Sequence, residues 1–204
     1  MTSVNQIRHR FDLHAANYDN PFTAFIGERE LRAIRKLVPP HTEVLDYGCG
    51  TGRTTLDHLH RGCKVTAYDI SPNMLAIAET KAAKMGFDAG FTTDPDGLEG
   101  RTWPVVTCIG VMDYYSDPAP LLKTLRAYLE PAGMLIVTFP NALSPLAWMY
   151  VAGSRFTVQA VARTPRFVRN SAMRAGFRIS SLSYAFPGIP PLGHTLVAGL
   201  HLQT

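Results

Sequence analysis

Three glycines at alternate positions follow a short apolar run in the stretch VLDYGCGTGRTT. Gly48, Gly50 and Gly52 allow the backbone to turn tightly and to approach a ligand closely. The helix expected to begin near Arg53 offers unpaired N–H groups at the same place. Because ligands of an open parallel sheet bind beyond the carboxyl ends of its strands, this turn predicts a site for a nucleotide-like ligand.

The spacing of the glycines argues against two kinds of diphosphate-binding motif. A dinucleotide turn has the pattern G-x-G-x-x-G and a phosphate loop has G-x-x-x-x-G-K-[ST], whereas this turn is G-C-G-T-G and no lysine follows. A carboxylate at Asp69, 17 residues after Gly52, can accept hydrogen bonds from both ribose hydroxyls and would repel a ribose phosphate. The glycine turn, Asp46 at the end of the preceding strand and Asp69 together are stronger evidence for a nucleoside site than the glycines alone.

The elements around the turn alternate between short apolar runs and helix-length segments. The runs are EVLDY (43–47), KVTAY (64–68), DAGFT (88–92), PVVTCIG (104–110) and MLIVTF (134–139). Helices are expected from Ser71-Pro72 to Gly86, from Asp117-Pro118 through Leu129, and from Thr164-Pro165 to Gly176. The alternation predicts an α/β fold in which helices cover a parallel sheet.

The C-terminal part changes its period. Residues 177–184 and 194–202 are expected to form an antiparallel hairpin, which completes a Rossmann-like sheet of seven strands with helices on both faces. Residues 141–163 interrupt the alternation and contain Trp148, Tyr150 and Phe156. This insertion is either a substrate lid, which we favour, or two ordinary helices packed on the sheet.

The composition of the 204 residues, 46% hydrophobic and 18% charged, suits a single globular domain over residues 1–204. The first twenty residues do not resemble a secretory signal, and no run approaches the roughly 18 apolar residues of a membrane span. Three widely spaced cysteines without a CxxC pair argue against a disulfide framework or a zinc site. We therefore expect a cytoplasmic protein.

The positive charge is concentrated in one region. Residues 155–178 contain six arginines and no acid, so removing them from the net charge of +4 leaves −2 for the rest of the chain. The arginines Arg155–Arg178 either form a solvated face or attract an acidic substrate, an anionic membrane surface or an acidic carrier protein. Nucleic acid is disfavoured because aromatic residues do not alternate with the arginines.

On these motifs the chain resembles the class I S-adenosylmethionine-dependent methyltransferases, in the small-molecule branch that includes quinone-biosynthesis enzymes. VLDYGCGTG resembles the cofactor loop of that family and YDIS its ribose-binding acid. CIGVMDYYSDP resembles the fourth-strand motif beside the transferred methyl group, and MRAGF the approach to the sixth strand. The resemblance extends over nearly the whole chain, from FDLHAANYD to the closing hairpin.

The resemblance implies S-adenosylmethionine as the cofactor. Its implied binding residues are Tyr18, Asp46, Gly48, Gly50, Gly52, Asp69, Ile70, Asp94 and Ile109. The glycines would cradle the methionine part, Asp69 would hold the ribose, and Ile70 and Asp94 would contact the adenine. Residues 1–40 would form an N-terminal helical cap over the cofactor, from which Tyr18 either bonds the cofactor carboxylate or only packs.

A hydroxyl acceptor would benefit from a base on the same rim of the sheet. His194 begins the antiparallel last strand and therefore lies on that rim, so it is the first candidate, followed by Asp113 and Tyr115. Each has a plainer interpretation: a loop histidine, a turn or cap residue, and a tyrosine in the cavity wall. Asp113 and Asn141 alone supply too few oxygen ligands for magnesium, so we predict no metal.

The sequence thus predicts an S-adenosylmethionine-dependent methyltransferase that acts on a small, hydrophobic acceptor at a hydroxyl oxygen. Carbon or nitrogen methylation, a non-catalytic nucleoside-binding module and a nicotinamide-dependent dehydrogenase are the alternatives. The glycine spacing disfavours the dehydrogenase. The pattern does not identify the acceptor or the oligomeric state.

Overall fold

A computed structural model describes residues 4–19, 21–154, 159–186 and 191–203. The strands are β1 (Glu43–Tyr47), β2 (Lys64–Tyr68), β3 (Gly90–Thr92), β4 (Trp103–Cys108), β5 (Leu129–Pro140), β6 (Phe177–Ala185) and β7 (Thr195–Leu202). The helices are α1 (Val4–His14), α2 (Pro21–Ile34), α3 (Arg53–His60), α4 (Pro72–Lys84), α5 (Ala119–Arg126), α6 (Pro145–Ser154) and α7 (Pro165–Arg174). Short 3-10 turns lie at Ala15–Asn17, Asp96–Leu98 and Met112–Tyr114.

The seven strands form one sheet in the order β3-β2-β1-β4-β5-β7-β6. Pairing is parallel except at β7, which runs antiparallel to both β5 and β6. The predicted Rossmann-like α/β fold with a closing hairpin is therefore confirmed. The connections diverge on either side of β1, which pairs with β2 on one edge and β4 on the other, and such a divergence opens a crevice at the carboxyl ends of the strands.

Apolar side chains cover both faces of the sheet. Neighbouring residues of β1 face opposite sides: Val44 joins one buried cluster with Val65 and Val105, and Leu45 joins the other with Val106. All five are almost completely buried. Since parallel strands are covered by helices on both faces, they can be apolar throughout their length rather than alternating with polar residues.

Two of the predicted helix starts carry the expected caps. The Ser71 side chain accepts the N–H of Met74 at 3.2 Å, and the Thr164 side chain accepts the N–H of Phe167 at 3.2 Å. A proline follows each cap, where its missing N–H costs no helical hydrogen bond.

The structure differs from the sequence prediction at several element bounds, most clearly at β3, α5 and β5. β3 contains only Gly90–Thr92, shorter than the predicted 88–92. The helix predicted through Leu129 ends at Arg126, and Leu129 instead begins β5 opposite Trp103. Pairing with a neighbouring strand thus outweighs the helical spacing of the leucines, a contact that local sequence does not encode.

Candidate cofactor and acceptor site

The carboxylate of Asp69 connects the end of β2 to the glycine turn. Its Oδ2 accepts the backbone N–H of Gly50 at 2.7 Å, and its Oδ1 accepts the N–H of Ser71 at 2.8 Å. Burial raises the pKa of Asp69 to about 6, although both of these hydrogen bonds act to lower it. Each carboxylate oxygen has a second lone pair, so the group can still accept ligand hydroxyls.

The three glycines of the turn all have positive φ, but they face different surroundings. A Cβ at Gly48 would lie 2.3 Å from a methyl group of Val111, and one at Gly52 would lie 2.9 Å from the Cβ of Ala78. A Cβ at Gly50 would meet nothing within 4 Å. Gly48 and Gly52 therefore permit close packing within the protein, whereas Gly50 borders open space where a ligand can approach the backbone.

Two adjoining cavities meet at this turn. Both are lined by Tyr18, Gly48, Gly50, Ile109, Gly110 and Tyr114. The smaller cavity, of about 200 Å³, is also lined by Asp69 and Ile70. Its carboxylate, apolar wall and exposed backbone have the chemical character required for an adenosine group.

The larger cavity, of about 460 Å³, contains the titratable groups that could act on a second ligand. They include Glu30, Arg53, Asp113, Tyr150 and His194. The structure thus brings two predicted catalytic residues, His194 and Asp113, to one cavity that shares a wall with the predicted cofactor site.

His194 is held by the loop that precedes β7. The side-chain amide of Asn141 donates to the carbonyls of Pro191 and Gly193 at 2.7 Å each. The backbone N–H of Asn141 donates to the carbonyl of His194 at 2.9 Å. His194 is buried, and burial lowers the pKa of its imidazole. Its Nε2 has no hydrogen-bond partner among the described residues.

Asp113 and Tyr150 form a second polar pair in the larger cavity. The hydroxyl of Tyr150 donates to Asp113 Oδ2 at 3.2 Å, while Asp113 Oδ1 is buried without a partner among the described residues. Burial, followed by repulsion from Glu30, raises the pKa of Asp113 to about 7. The Tyr150 ring packs edge-to-face against the His194 ring, with 5.7 Å between centroids. Tyr150 of α6 thus contacts both candidate bases.

The N-terminal segment is attached to the glycine turn and to α4 through two aspartates. Asp12 accepts the hydroxyl of Ser71 at 2.5 Å. Asp19 accepts the hydroxyl of Thr51 at 2.8 Å and pairs with Lys81 at 2.6 Å. Tyr18, between them, lines both cavities, and burial raises the pKa of its hydroxyl to about 12.

Asp46, Asp94 and Tyr115 were predicted as site residues but do not line the larger cavity. Asp46 is buried beneath the glycine turn, where it accepts the hydroxyls of Thr55 at 2.6 Å and Thr107 at 2.8 Å. Asp94 is exposed, and its Oδ1 accepts the N–H of Asp96 at 3.0 Å in a turn that lines neither cavity. Tyr115 lines the smaller cavity with Asp69 and does not line the larger cavity with His194 and Asp113.

Sequence reasoning missed Glu30, Thr195 and Arg53 as members of the site. Glu30 lies on α2 and Thr195 on β7, and neither belongs to a short motif, so only the fold brings them together. Arg53 directly follows the last glycine of the turn, which was the one local signal for its placement. The described residues contain no group of three or more His, Cys, Asp or Glu side chains arranged to hold a metal ion.

Comparison with known families identifies the class of this domain. A family model described as a methyltransferase domain matches residues 21–182. The chain therefore belongs to this methyltransferase family, and the resemblance inferred from VLDYGCGTG and YDIS is confirmed.

Individual relatives refine the comparison. The ubiquinone biosynthesis O-methyltransferase of Xanthomonas axonopodis pv. citri is 22% identical over 155 residues, which are 72% of this chain and 65% of that protein. The protein of the same name in Sodalis glossinidius is 29% identical over 125 residues, 59% of this chain and 50% of that protein. The chain thus spans about half to two thirds of the length of these relatives.

A solved structure supports the fold over the full chain. Magnesium protoporphyrin IX methyltransferase from Synechocystis PCC 6803, crystallised with bound SAH, aligns with a TM-score of 0.65 at 18% identity. The alignment covers 100% of this chain and 89% of that one. The likeness confirms the methyltransferase-type fold.

Proposed function

We propose that this protein transfers a methyl group from S-adenosylmethionine to a hydroxyl oxygen of a small, hydrophobic acceptor. The observation that carries the proposal is the pair of cavities meeting at Gly48 and Gly50: one contains a carboxylate suited to ribose, the other His194 and Asp113. The O-methyltransferase relatives support oxygen as the acceptor atom.

On the cofactor side, Asp69 would accept hydrogen bonds from the ribose hydroxyls and Ile70 would pack against the adenine. Gly50, with open space beside its backbone, would allow the methionine part to approach closely. Ile109 and Tyr18 would form part of the cavity wall around the cofactor. S-adenosylmethionine supplies an electrophilic methyl group on a sulfonium, so the protein need only align the acceptor and manage its proton.

On the acceptor side, His194 is our candidate base. Because burial lowers its pKa, the imidazole is neutral at neutral pH and can take a proton. Both Nε2 of His194 and Oδ1 of Asp113 are buried without partners among the described residues, and such orphaned atoms call for an explanation. An acceptor hydroxyl hydrogen-bonded to either atom would satisfy it.

We further propose that residues 141–163 act as a substrate lid and residues 1–40 as a cap within one domain. Tyr150 of α6 packs against His194, while Trp148 and Met149 of the same helix are 54% and 71% exposed. Displacement of α6 by an acceptor would uncover the imidazole. Phe156 lies outside the described residues.

Some arginines in residues 155–178 are exposed and could bind an anionic membrane surface or an acidic carrier protein, whereas others have partners within the protein. Arg163 donates to the backbone carbonyls of Tyr115 and Ser116, and Arg174 pairs with Asp117 at 2.7 Å, so these two arginines have structural partners. Arg155 lies outside the described residues. Arg166, Arg169 and Arg178 are exposed and are the members available for a lipid headgroup or an acidic carrier. No helix in the described ranges is long and apolar enough to cross a membrane.

Thermal unfolding with S-adenosylmethionine, S-adenosylhomocysteine and nicotinamide dinucleotides tests the cofactor. At about 100 times its dissociation constant a ligand stabilises by ~2.7 kcal/mol, which raises the Tm by about 5–10 °C for this size. Stabilisation by the sulfur nucleosides, lost in Asp69→Ala and retained in the exposed control Asp88→Ala, is the expected result. Stabilisation by dinucleotides alone would overturn the proposal.

Methylation assays with phenolic, amine and carbon acceptors test the reaction. We expect turnover with hydroxyl acceptors and a loss of about 100-fold or more in kcat for His194→Ala, with cofactor binding unchanged. Cofactor binding without turnover on any acceptor would instead support the non-catalytic module. Turnover confined to amine or carbon acceptors would show that the enzyme methylates nitrogen or carbon rather than oxygen.

A further inference from the structure

A chain of three buried side chains connects α2 to the start of β7. Nδ1 of His194 lies 2.8 Å from Oγ1 of Thr195, and Oγ1 of Thr195 lies 2.7 Å from Oε1 of Glu30. The exposed fractions are 6%, 3% and 9% for His194, Thr195 and Glu30. Glu30 and Thr195 are 165 residues apart in the chain, so the contact is purely tertiary.

The donor and acceptor inventory determines the direction of these hydrogen bonds. An ionised carboxylate can only accept, so the single hydroxyl proton of Thr195 is donated to Glu30. The Thr195 oxygen must then accept from His194, which places the imidazole proton on Nδ1. Nε2 is consequently the unprotonated nitrogen, and it is the ring atom without a partner among the described residues.

We propose that Glu30 and Thr195 are positioning residues that hold His194 as its Nδ1–H tautomer and stabilise its protonated form. This proposal rests on the proposed function, because it assigns a proton acceptor to the methyl transfer. The acceptor hydroxyl would give its proton to Nε2 as its oxygen forms a bond to the methyl group. The bond between that methyl group and the cofactor sulfur would break, and S-adenosylhomocysteine would leave as the neutral thioether. The imidazolium then bonds through Thr195 to a carboxylate and later releases its proton to solvent.

An ion pair with Arg53 holds the other carboxylate oxygen of Glu30. Its Oε2 pairs with Nη2 of Arg53 at 2.9 Å, so both carboxylate oxygens have partners. Gly27 on α2 provides room for this arginine, since a Cβ there would lie 1.9 Å from Arg53 Nη1. Apolar residues would join α2 to β7 with a smaller desolvation cost than a buried carboxylate, which favours a functional reason for Glu30.

Other charged and titratable groups line the same cavity as His194. They are Glu28 and Glu30 on α2, Arg53 on α3, Lys81 on α4, Asp113 and Tyr114 in the 3-10 turn Met112–Tyr114, Tyr150 on α6, and Tyr18, Asp19 and Cys49 in the loops. The negative charge of Glu30 raises the pKa of His194 against the larger lowering effect of burial. Removing that charge should therefore move the protonation of His194 to lower pH.

The tautomer can be read directly in the free protein by long-range ¹H–¹⁵N NMR of its histidines, with His194→Gln used for assignment. Wild type and Thr195→Ser should show Nδ1–H and bare Nε2 at pH 7.5. Thr195→Val keeps the size of the side chain but removes the hydroxyl. In this variant the His194 ring should no longer be fixed as the Nδ1–H tautomer. An Nε2–H tautomer in wild type, or the same tautomer in wild type and Thr195→Val, would overturn the proposal.

The kinetic arm uses the same variants with an accepted hydroxyl substrate. We expect Thr195→Val and Glu30→Gln to lower kcat about 10–100-fold with little change in KM, and Thr195→Ser to restore most of it. Glu30→Gln should also move the acidic limb of the kcat profile to lower pH. An unchanged kcat in Thr195→Val, or an unchanged acidic limb in Glu30→Gln, would refute the positioning role.

The two arms separate this inference from the proposed function. The tautomer measurement needs neither cofactor nor turnover, so failure of S-adenosylmethionine to stabilise the protein would refute the proposed function alone. Normal methylation in Thr195→Val would refute the positioning role alone. If Glu30→Gln does not fold, the comparison of Thr195→Val with Thr195→Ser still tests the positioning role.

Discussion

The carboxylate of Asp69 accepts the backbone N–H of Gly50 at 2.7 Å. This hydrogen bond connects the acid at the end of β2 to the one glycine of the turn whose Cβ position is open. The acid and the turn therefore form one unit, and a change at either residue should alter cofactor binding through the other.

Cofactor affinity should depend on pH through Asp69. Its pKa is raised by burial to about 6, so at pH 5 only about one molecule in ten retains the ionised carboxylate. We expect S-adenosylhomocysteine to bind about tenfold more weakly at pH 5 than at pH 7.5 by calorimetry. Asp69→Asn should bind weakly with little pH dependence in this window, and an equally steep profile in that variant would assign the effect elsewhere.

The raised pKa of Asp69 affects stability and cofactor binding in opposite directions. Lowering the pH should weaken cofactor binding but stabilise the ligand-free protein. The folded state binds the proton more tightly than the unfolded chain, so the cost of burying the ionised group is fully present above pH 6. That cost is relieved as the pH falls through 6 toward the unfolded value near 4. Relative to Asp69→Asn, the ligand-free wild type should therefore become more stable over this interval, as denaturant unfolding would measure.

Alanine at Gly50 and at Gly52 should have separable effects. Both have positive φ, which costs a non-glycine residue about 1–2 kcal/mol. Gly50→Ala adds a methyl group to open space beside the cofactor cavity, so we expect at least about a tenfold loss of nucleoside affinity with modest destabilisation. Gly52→Ala forces a contact with Ala78 and should lower the Tm more. Equal Tm losses and equal affinities in the two variants would contradict this distinction.

Asp46 should matter for stability more than for cofactor contact. Asp46→Ala removes the acceptor of the buried Thr55 hydroxyl and leaves Thr107 only the longer contact to the Leu45 carbonyl at 3.5 Å, at a cost of about 2–4 kcal/mol. Thr107→Val removes one donor with little change of shape and should cost about 1 kcal/mol. Urea unfolding measures both, and an unaltered midpoint for Asp46→Ala would show that its hydrogen bonds do not stabilise the turn.

The N-terminal segment, our proposed cap, should contribute to cofactor retention through Asp19. Asp19→Ala removes the hydrogen bond to Thr51 and the ion pair to Lys81. Since the ion pair is largely exposed, we expect less than about 1 kcal/mol of lost stability but a faster release of S-adenosylhomocysteine in stopped-flow experiments. Glu43→Ala removes a comparable exposed pair with Lys64 remote from the cavities and serves as the control.

The geometry of the proposed cofactor site was largely predictable from sequence. Gly50, Asp69 and Ile70 stand at the ends of adjacent parallel strands, and the carboxyl ends of such strands meet at one edge. Asp94 and Asp46 were less predictable. One lies in an exposed turn and the other hydrogen-bonds within the protein, because a carboxylate near a motif can face either a ligand or a neighbouring strand.

The sequence by itself determined the alternation of strands and helices, the helix caps at Ser71 and Thr164, and the glycine turn, because these depend on residues close together in the chain. Only the tertiary structure decided that Leu129 begins a strand and that Glu30, Thr195 and His194 form one hydrogen-bonded chain. Hydrogen-bond direction and desolvation act between atoms in space, so contacts separated by 165 residues arise only once the sheet has assembled.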